Sequence, residues 1–206
     1  MASKSRDNSK MTSQYAEILA GRRDAAQRTL GNIIFRNPLF LLEIGCGHGH
    51  FLTAYAEAHP HSTCVGIDLV NERINRATRK RNRAKLANLH FLRAEVGLFL
   101  QAMPPQARIT DVFILFPDPW PKTRHHKHRI LQPAFLDALA EKCEANCCLY
   151  FRTDYQPYFE DALAVTRAAP RWEVADLEWP FEFETVFQRR AKRYDSLTAR
   201  MRPSPS

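Results

Sequence analysis

Hydrophobic and polar positions alternate in blocks along this chain from residue 39 onward. Short apolar runs rich in Leu, Ile, Val and Phe occupy residues 39–44, 63–67, 89–92, 112–116 and 147–151. Longer segments with helical periodicity follow them, at residues 50–58, 71–86, 133–142 and 156–168. Strand and helix alternating in this way predict parallel strands joined by helical crossovers.

The block pattern therefore predicts an α/β fold, a doubly wound and mostly parallel sheet with helices on both faces. Residues 172–177 and 185–189 would add two later strands, which can be antiparallel. A sheet of this kind binds its ligands at the carboxyl ends of the strands. Functional side chains are therefore expected where the apolar runs end.

The length of 206 residues, with 45% hydrophobic and 25% charged residues, suits one well-cored domain and is short for two. We expect a basic, partly flexible N-terminal extension over residues 1–38, the folded domain over 39–200 and a frayed C-terminus over 201–206. No run approaches the roughly 20 apolar residues of a membrane helix, and the polar N-terminus lacks the apolar core of a signal peptide. A cytoplasmic protein without a membrane partner is the expectation.

The five cysteines are odd in number and mostly sit inside apolar runs, where cysteine behaves as a small hydrophobic residue. This placement favours structural thiols over disulfides or a zinc site. We therefore expect no metal.

The charge of the chain is segregated. Lys and Arg number 30 against 22 Asp and Glu, which gives a formal net charge of +8. The positive charges are concentrated in three runs, at residues 73–85, 122–129 and 189–202, whereas residues 171–184 are mainly acidic. Any one run could be a solvated face, but three in a small chain indicate a nucleic-acid surface.

The first candidate for chemistry is the string LLEIGCGHGHF, in which Gly45, Gly47 and Gly49 follow a strand and open a helix. Glycines allow a ligand to approach the backbone closely, and the start of a helix offers unpaired amide hydrogens. The dinucleotide fingerprint needs a small residue where this chain has His50. A nucleoside ligand without a pyrophosphate is therefore the better match.

Acidic residues end the next two apolar runs. Asp68 closes the second run, where a carboxylate can accept hydrogen bonds from both ribose hydroxyls, and Glu95 follows the third. S-adenosylmethionine has a carboxylate, a free ribose and an adenine but no phosphate. The glycines and the two acids therefore predict this cofactor, and the alternative is a plain turn with solvated acids.

The most specific motif is VFILFPDPWPKTRHHKHRI, at residues 112–130. An apolar strand runs into two prolines that bracket Asp118 and precede Trp120, so the carboxylate is held at the strand end. Trp120 offers a flat surface for an extruded base, and the cations that follow suit the neighbouring phosphates. The string indicates recognition of an RNA base, and the alternative is a proline-rich turn with a basic loop.

The segment FPDPWPKTRHHKHR resembles the signature of the bacterial tRNA (guanine-N7-)-methyltransferase family, and the similarity runs from Leu41 to about Arg193. The resemblance implies the seven-stranded sheet of the class I S-adenosylmethionine-dependent methyltransferases, with residues 39–200 as the methyltransferase domain. It also implies methyl transfer from S-adenosyl-L-methionine to N7 of a variable-loop guanine in tRNA.

The resemblance, together with the glycine turn, assigns roles to individual residues. The cofactor-binding residues are Glu43, Gly45, Gly47, Gly49, Asp68, Glu95 and Asp118, and Asp118 is also the catalytic residue. The substrate-binding residues are Lys122, Asp154, Thr185 and Gln188. The RNA-binding residues are Arg124, His125, His126, Lys127, His128 and Arg129. The family carries a glutamate where this chain has Gln188, which we expect to face the amino-acid end of the cofactor.

The implied reaction needs no base, because guanine N7 carries an in-plane lone pair and no proton. Asp118 can accept hydrogen bonds from N1 and the amino group of guanine and stabilise the positive charge that develops on the ring. Two alternatives stay open, an amino-methyltransferase acting on adenine or cytosine of RNA and a non-catalytic cofactor-binding RNA module. Both a monomer and a homodimer are compatible with the sequence.

Overall fold

The structure is a computed structural model, and it describes residues 17, 20–21, 23–24, 27–33, 37–184, 188–189, 191 and 193–202. Within these residues a seven-stranded sheet has the order β3-β2-β1-β4-β5-β7-β6. The strands are β1 Leu39–Ile44, β2 Cys64–Asp68, β3 Leu89–Arg93, β4 Arg108–Leu115, β5 Cys143–Thr153, β6 Trp172–Val174 and β7 Asp195–Met201. Strands β1 to β5 are parallel, and β7 is antiparallel to β5 and β6.

Helices connect the parallel strands, as the block pattern predicts. They are α1 His50–Ala58, α2 Asn71–Ala84, α3 Val96–Ala102, α4 Pro133–Ala140 and α5 Gln156–Ala168, with a 3-10 helix at Thr123–His128. Proline occupies one of the first two positions of α4 and of α5, where its missing N–H removes no helical hydrogen bond. The predicted doubly wound α/β fold is confirmed.

The two faces of the sheet are covered differently. On one face, α3, α4 and α5 bury large side chains such as Phe99, Leu136 and Tyr158 in the main core. On the other face, α1 packs through Phe51 beside an extended segment, residues 175–184, which we call the strap. The strap covers the sheet through its aromatic side chains, which include Trp179. This part of the sheet is thus covered by an extended segment, the strap, rather than by a helix.

The later part of the chain differs from the prediction. Strand β6 ends at Val174 rather than at residue 177. The strand predicted at residues 185–189 is wrong for the two residues of it that the structure describes, because Gln188 and Arg189 are helical. Residues 185–187 lie outside the described residues. Strand β7 was missed although Leu197, Ala199 and Met201 alternate with more exposed residues, because we assigned these residues to a basic run and because the pairing of β7 with β5 is long-range. The short helix α3 was also missed.

The packed domain extends beyond the predicted range of 39–200 at both ends. The described residues between 17 and 33 are helical, and Leu30 is fully buried in the main core. At the other end Met201 is buried in β7, and the amide of Arg202 donates to the carbonyl of Arg171 at 2.8 Å. Residues 1–16 and 203–206 lie outside the described residues.

Two further expectations concern particular residue types. All five cysteines carry free thiols, and four of them are buried, which agrees with structural thiols. In the parts of the chain that the structure describes, no helix is long and apolar enough to cross a membrane.

Gly49 allows the start of α1 to pack closely on its neighbours. Its φ is +66°, and a Cβ at this position would lie 2.5 Å from Cζ of Phe91 and 2.9 Å from Cβ of Ala77. Phe91 lies on β3 and Ala77 on α2. A side chain at Gly49 would therefore push α1 away from both elements.

We predict that Gly49→Ala destabilises the protein more than Gly47→Ala. Both glycines have a positive φ, +66° and +53°, so both substitutions lose about 1–2 kcal/mol in a left-handed conformation. Only Gly49→Ala also overpacks the interior, which adds about 1–3 kcal/mol. Urea unfolding of the two variants measures the difference, and equal losses would show that Phe91 moves aside without cost.

Candidate active site

The parallel strands bring most of the predicted site residues to one edge of the sheet. The register places Ile44 of β1 beside Ile67 of β2 and Ile114 of β4, and Leu115 of β4 beside Arg152 of β5. The residues that follow or end these strands are the glycine turn, Asp68, Glu95, Asp118 and Asp154. Thr185 lies outside the described residues.

The glycine turn borders open space at this edge. The amides of Gly45 and Cys46 both donate to the carbonyl of Ile67, at 2.8 and 3.0 Å, which holds the turn against β2. A Cβ at Gly45 or Gly47 would meet nothing within 4 Å, in contrast to Gly49. A ligand can therefore approach the backbone of this turn closely.

Asp68 links the glycine turn to the start of α2. Its Oδ2 accepts a hydrogen bond from the amide of Gly47 at 3.0 Å, and its Oδ1 accepts one from the amide of Val70 at 2.8 Å. The guanidinium of Arg73 lies 3.5 Å away. Because each carboxylate oxygen has a second lone pair, the group can still accept hydrogen bonds from a ribose.

Glu43 is a buried carboxyl group beneath the turn, and its Oε2 has no hydrogen-bond partner within the described part of the chain. Burial, and then the negative charge of Asp68, raise its pKa to about 8, against smaller lowering effects from the Leu52 amide and Lys80. An unpartnered buried carboxyl oxygen favours a cationic ligand group. The ammonium or sulfonium of S-adenosylmethionine fits this requirement.

Glu95 has a structural role that the sequence reasoning missed. Its side chain caps α3, with Oε1 accepting from the amide of Gly97 and Oε2 from the amide of Leu98, each at 2.9 Å. Leu69 was also missed. It follows Asp68 at the edge and is 62% exposed, which gives an apolar surface for a nucleobase beside the ribose position.

Residues 117–120, which we call the PDPW loop, leave the sheet in a strained conformation. Phe116 and Trp120 flank Asp118 and have positive φ angles of 52° and 44°. Such a conformation costs about 1–3 kcal/mol for each bulky residue and is typical of functional sites. Asp118 is exposed, and within the described residues no hydrogen bond or ion pair to its carboxylate is seen. Its position at this edge agrees with the prediction.

Arg129 corrects the predicted RNA surface. Its side chain is only 1% exposed, so it cannot reach an RNA phosphate, and the RNA-binding role predicted for it is wrong. Its Nε donates to the carbonyl of Pro119 at 2.9 Å, and Nη2 lies 3.5 Å from the carbonyl of Trp120. It also pairs with Asp161 of α5 and lies over the ring of Tyr158, 4.8 Å from the centroid. Arg129 therefore attaches the PDPW loop to α5.

The other predicted RNA-binding residues divide into two groups. Lys122, Arg124, Lys127 and His128 are exposed. His125 is half-buried with its ring edge-on to Trp120. His126 is turned inward, with Nδ1 3.6 Å from Asp161 and Nε2 buried without a partner in the described structure. The exposed group forms a basic surface beside Trp120.

A second buried arginine, Arg152, lies beside the start of the PDPW loop, and its carbonyl accepts from the amide of Phe116 at 2.8 Å. Arg152 of β5 pairs through both terminal nitrogens with Glu182 of the strap, and its guanidinium lies 3.6 Å from the ring centroid of Trp179. Hydrogen bonds from Arg152, and also one from Gln188, lower the pKa of Glu182. Gln188 donates a further hydrogen bond to the hydroxyl of Tyr194 at 2.9 Å.

These contacts give a physical reason for glutamine at position 188. A glutamate there would place a second carboxylate beside Glu182, whereas the amide of Gln188 donates to it. Asp154, which the resemblance assigns to substrate binding, follows β5 and is exposed. Among the described residues, no group of three or more His, Cys, Asp or Glu side chains is arranged to hold a metal ion.

Comparison with known proteins gives the family of the chain. A family described as putative methyltransferase matches residues 37–199. The tRNA (guanine-N(7)-)-methyltransferase of Alkalilimnicola ehrlichii is 34% identical over 163 residues, covering 74% of this chain and 67% of that protein. The protein of the same name from Nocardia farcinica is 36% identical over 135 residues, covering 66% of this chain and 50% of that protein. This chain thus spans about half to two thirds of the length of these relatives.

Solved structures support the fold at low identity. The antibiotic-resistance methyltransferase Kmr aligns with a TM-score of 0.56 at 22% identity, covering 85% of this chain and 93% of that chain. A 16S rRNA adenine-N1-methyltransferase from Catenulisporales acidiphilia aligns with a TM-score of 0.57 at 17% identity, covering 87% and 93%. The match over residues 37–199 and the relative at 34% identity show that the chain belongs to the tRNA (guanine-N7-)-methyltransferase family, and the sheet order and the solved structures show that it has the class I methyltransferase fold.

Proposed function

We propose that this protein transfers a methyl group from S-adenosyl-L-methionine to N7 of a variable-loop guanine in tRNA, in the cytoplasm. The observation that carries the proposal is the PDPW loop, whose strained backbone presents Asp118 at the same sheet edge as the glycine turn. The exposed basic surface beside Trp120 suits the phosphates that flank the base. The relatives are named for this reaction.

The cofactor supplies an electrophilic methyl group on a positively charged sulfur. Glu43 and the open glycine turn would hold its amino-acid end, and Asp68 would accept hydrogen bonds from its ribose. The exposed side chain of Leu69 would contact the adenine. The Oε2 atom of Glu43 is buried without a hydrogen-bond partner in the described structure, which is unfavourable, and a cation bound at this place would pair with it.

The remaining contribution of the protein is alignment and charge stabilisation. Guanine N7 attacks the methyl carbon in line and gives up no proton, so no residue has to act as a base. Trp120 stacks the base, and Asp118 accepts hydrogen bonds from its Watson–Crick edge, which becomes more positive as the methyl group arrives. Alignment of this kind can lower a barrier by roughly 7–11 kcal/mol.

Arg129 is a positioning residue in this proposal, because it acts through the PDPW loop rather than on the substrate. The prolines of the loop have no N–H to donate, so few backbone hydrogen bonds can fix its shape. Arg129 instead donates to the carbonyls of two consecutive residues, Pro119 and Trp120. The pairing with Asp161 sets the position of the guanidinium relative to α5.

The two alternatives are separated by their products. An amino-methyltransferase would have to accommodate loss of a proton from an exocyclic amine, whereas attack by guanine N7 releases none. A non-catalytic module would bind cofactor and RNA without turnover, and the presence of Asp118, Lys122 and Asp154 argues against it.

We predict that N7-methylguanosine in the tRNA variable loop is the product formed from unmodified tRNA and labelled S-adenosylmethionine. Nucleoside analysis of the digested tRNA identifies the base. Formation of methyladenosine or methylcytidine instead would reject guanine N7 as the target, although the protein would still be a methyltransferase. Binding of both ligands without any labelled nucleoside would favour the non-catalytic module.

A second prediction concerns proton release when the cofactor binds. With a pKa of about 8, Glu43 is mostly protonated at pH 7 in the free protein. A bound cation lowers this pKa, so the group ionises and releases a proton, whereas near pH 9 it is already ionised and releases little. Calorimetry in two buffers of different ionisation enthalpy counts the protons. Glu43→Gln should release fewer protons at pH 7, and equal counts would contradict the assigned pairing.

A third prediction distinguishes the positioning role of Arg129 from the RNA-binding role of the exposed Arg124. Arg129→Lys keeps the charge but loses the fork that reaches two carbonyls, so kcat should fall by roughly 10- to 100-fold. The KM for S-adenosylmethionine and the salt dependence of tRNA binding should change little. Arg124→Ala should instead lower the slope of log K against log salt by about 0.9 and leave kcat nearly unchanged.

Asp161→Asn is the second variant for Arg129, because it removes the paired charge without touching the loop. It should lower kcat in the same direction by a smaller factor. The positioning role is rejected if Arg129→Lys changes the salt slope as Arg124→Ala does while kcat stays at the wild-type value.

A further inference from the structure

The helix α2 presents a row of exposed arginines that the proposed site does not use. Arg76, Arg79 and Arg83 follow a spacing of three and four residues, which places them on one face of the helix. We call these three residues the α2 stripe. The helix buries only Ile74 and Ala77, so most of its surface faces the solvent.

The positive charges of the stripe are poorly compensated. Glu72 pairs with Arg76, but within the described residues neither Arg79 nor Arg83 has an acidic partner. Like charges three and four residues apart destabilise a helix. The pKa of the neighbouring Lys80 is lowered, chiefly by burial and then by the charge of Arg83. A polyanion bound along the stripe would remove this repulsion.

Helix α2 begins at the edge that holds the candidate active site and runs toward the opposite edge of the sheet. The Nζ of Lys80 donates to the carbonyl of His48 at 3.0 Å and lies 2.8 Å from Nδ1 of His50, so the middle of α2 borders the glycine turn. Further along the helix, Arg81 reaches the carbonyl of Leu89, the first residue of β3. The 3-10 helix at Thr123–His128 follows β4, which is separated from β2 by β1 alone. One basic surface therefore lies at the sheet edge where the methyl transfer is proposed, and the α2 stripe leads away from that edge along the helix.

We propose that the α2 stripe binds the phosphate backbone of the tRNA at a place away from the target base. The inference rests on the proposed function and names a second contact with the same substrate. Arginine is well suited to phosphate, and Asn75 and Asn82 beside the stripe are exposed further donors. A membrane surface is a poorer match, because the exposed face carries no large apolar side chain to insert.

The test compares two charge-matched double variants in tRNA binding at several salt concentrations. Arg79→Gln/Arg83→Gln removes two charges from the stripe. Arg167→Gln/Arg171→Gln removes two charges that lie outside the three basic runs, at the end of α5 and just before β6, near the opposite edge of the sheet. The stripe variant should weaken tRNA binding by roughly tenfold and lower the log–log salt slope by about 1–2, whereas the control should change little.

Glu72→Gln tests the stripe in the opposite direction, because it removes the acid that pairs with Arg76. It should tighten tRNA binding and leave S-adenosylmethionine binding unchanged. Thermal unfolding and cofactor titration show that each variant is folded.

The inference is overturned if the stripe variant binds tRNA like the wild type, or if the control loses as much affinity and salt dependence as the stripe variant. The product assay on the wild type keeps the two proposals apart. If the wild type forms no N7-methylguanosine, the proposed function fails; if it does and the stripe variant binds normally, only the second contact fails.

Discussion

Two buried guanidinium groups hold the backbone on which the candidate chemistry depends. Arg129 binds the PDPW loop, and Arg152 binds the strap beside it. Burying a charge is costly unless it is paired, yet both partner carboxylates remain largely in solvent, Asp161 at 52% and Glu182 at 57% exposed. Each ion pair therefore desolvates one partner fully and the other only in part. This arrangement lets a fixed positive charge support a strained loop at moderate cost.

The sheet edge combines acids inside with cations at its borders. Burial, and then the nearby charge of Asp68, raise the pKa of Glu43, so the free protein holds a proton where a cation would bind. S-adenosylmethionine carries positive charge at its sulfur and amino group, whereas tRNA is a polyanion. The two ligands therefore need opposite local fields, and the burial of the acids keeps those fields separate.

The sequence allowed prediction of features that depend on local pattern. The five parallel strands, the glycine turn and the position of Asp118 after a strand end follow from periodicity and from proline and glycine chemistry. Arg129 was misassigned because it stands in a run of cations, and its burial depends on Tyr158 and Asp161, about 30 residues later in the chain. Strand β7 was missed for a related reason, since its pairing with β5 is long-range. The capping role of Glu95 could have been predicted from the local sequence, because its side chain accepts from amides only two and three residues later in the chain.

The charge pattern of the folded chain also limits how RNA can approach. Helix α2 and the strap lie on the same face of the sheet, α2 over β2 and β3, and the strap over β4 and β5. The strap is acidic, and its exposed Asp176 and Glu178 have no cationic partner among the described residues, so it repels a phosphate backbone. A tRNA that places a guanine at Asp118 is therefore favoured to cross the carboxyl edge from the 3-10 helix toward α2 and to avoid the strap. Because both basic surfaces border that path, the direction of approach follows from the fold itself rather than from any single contact.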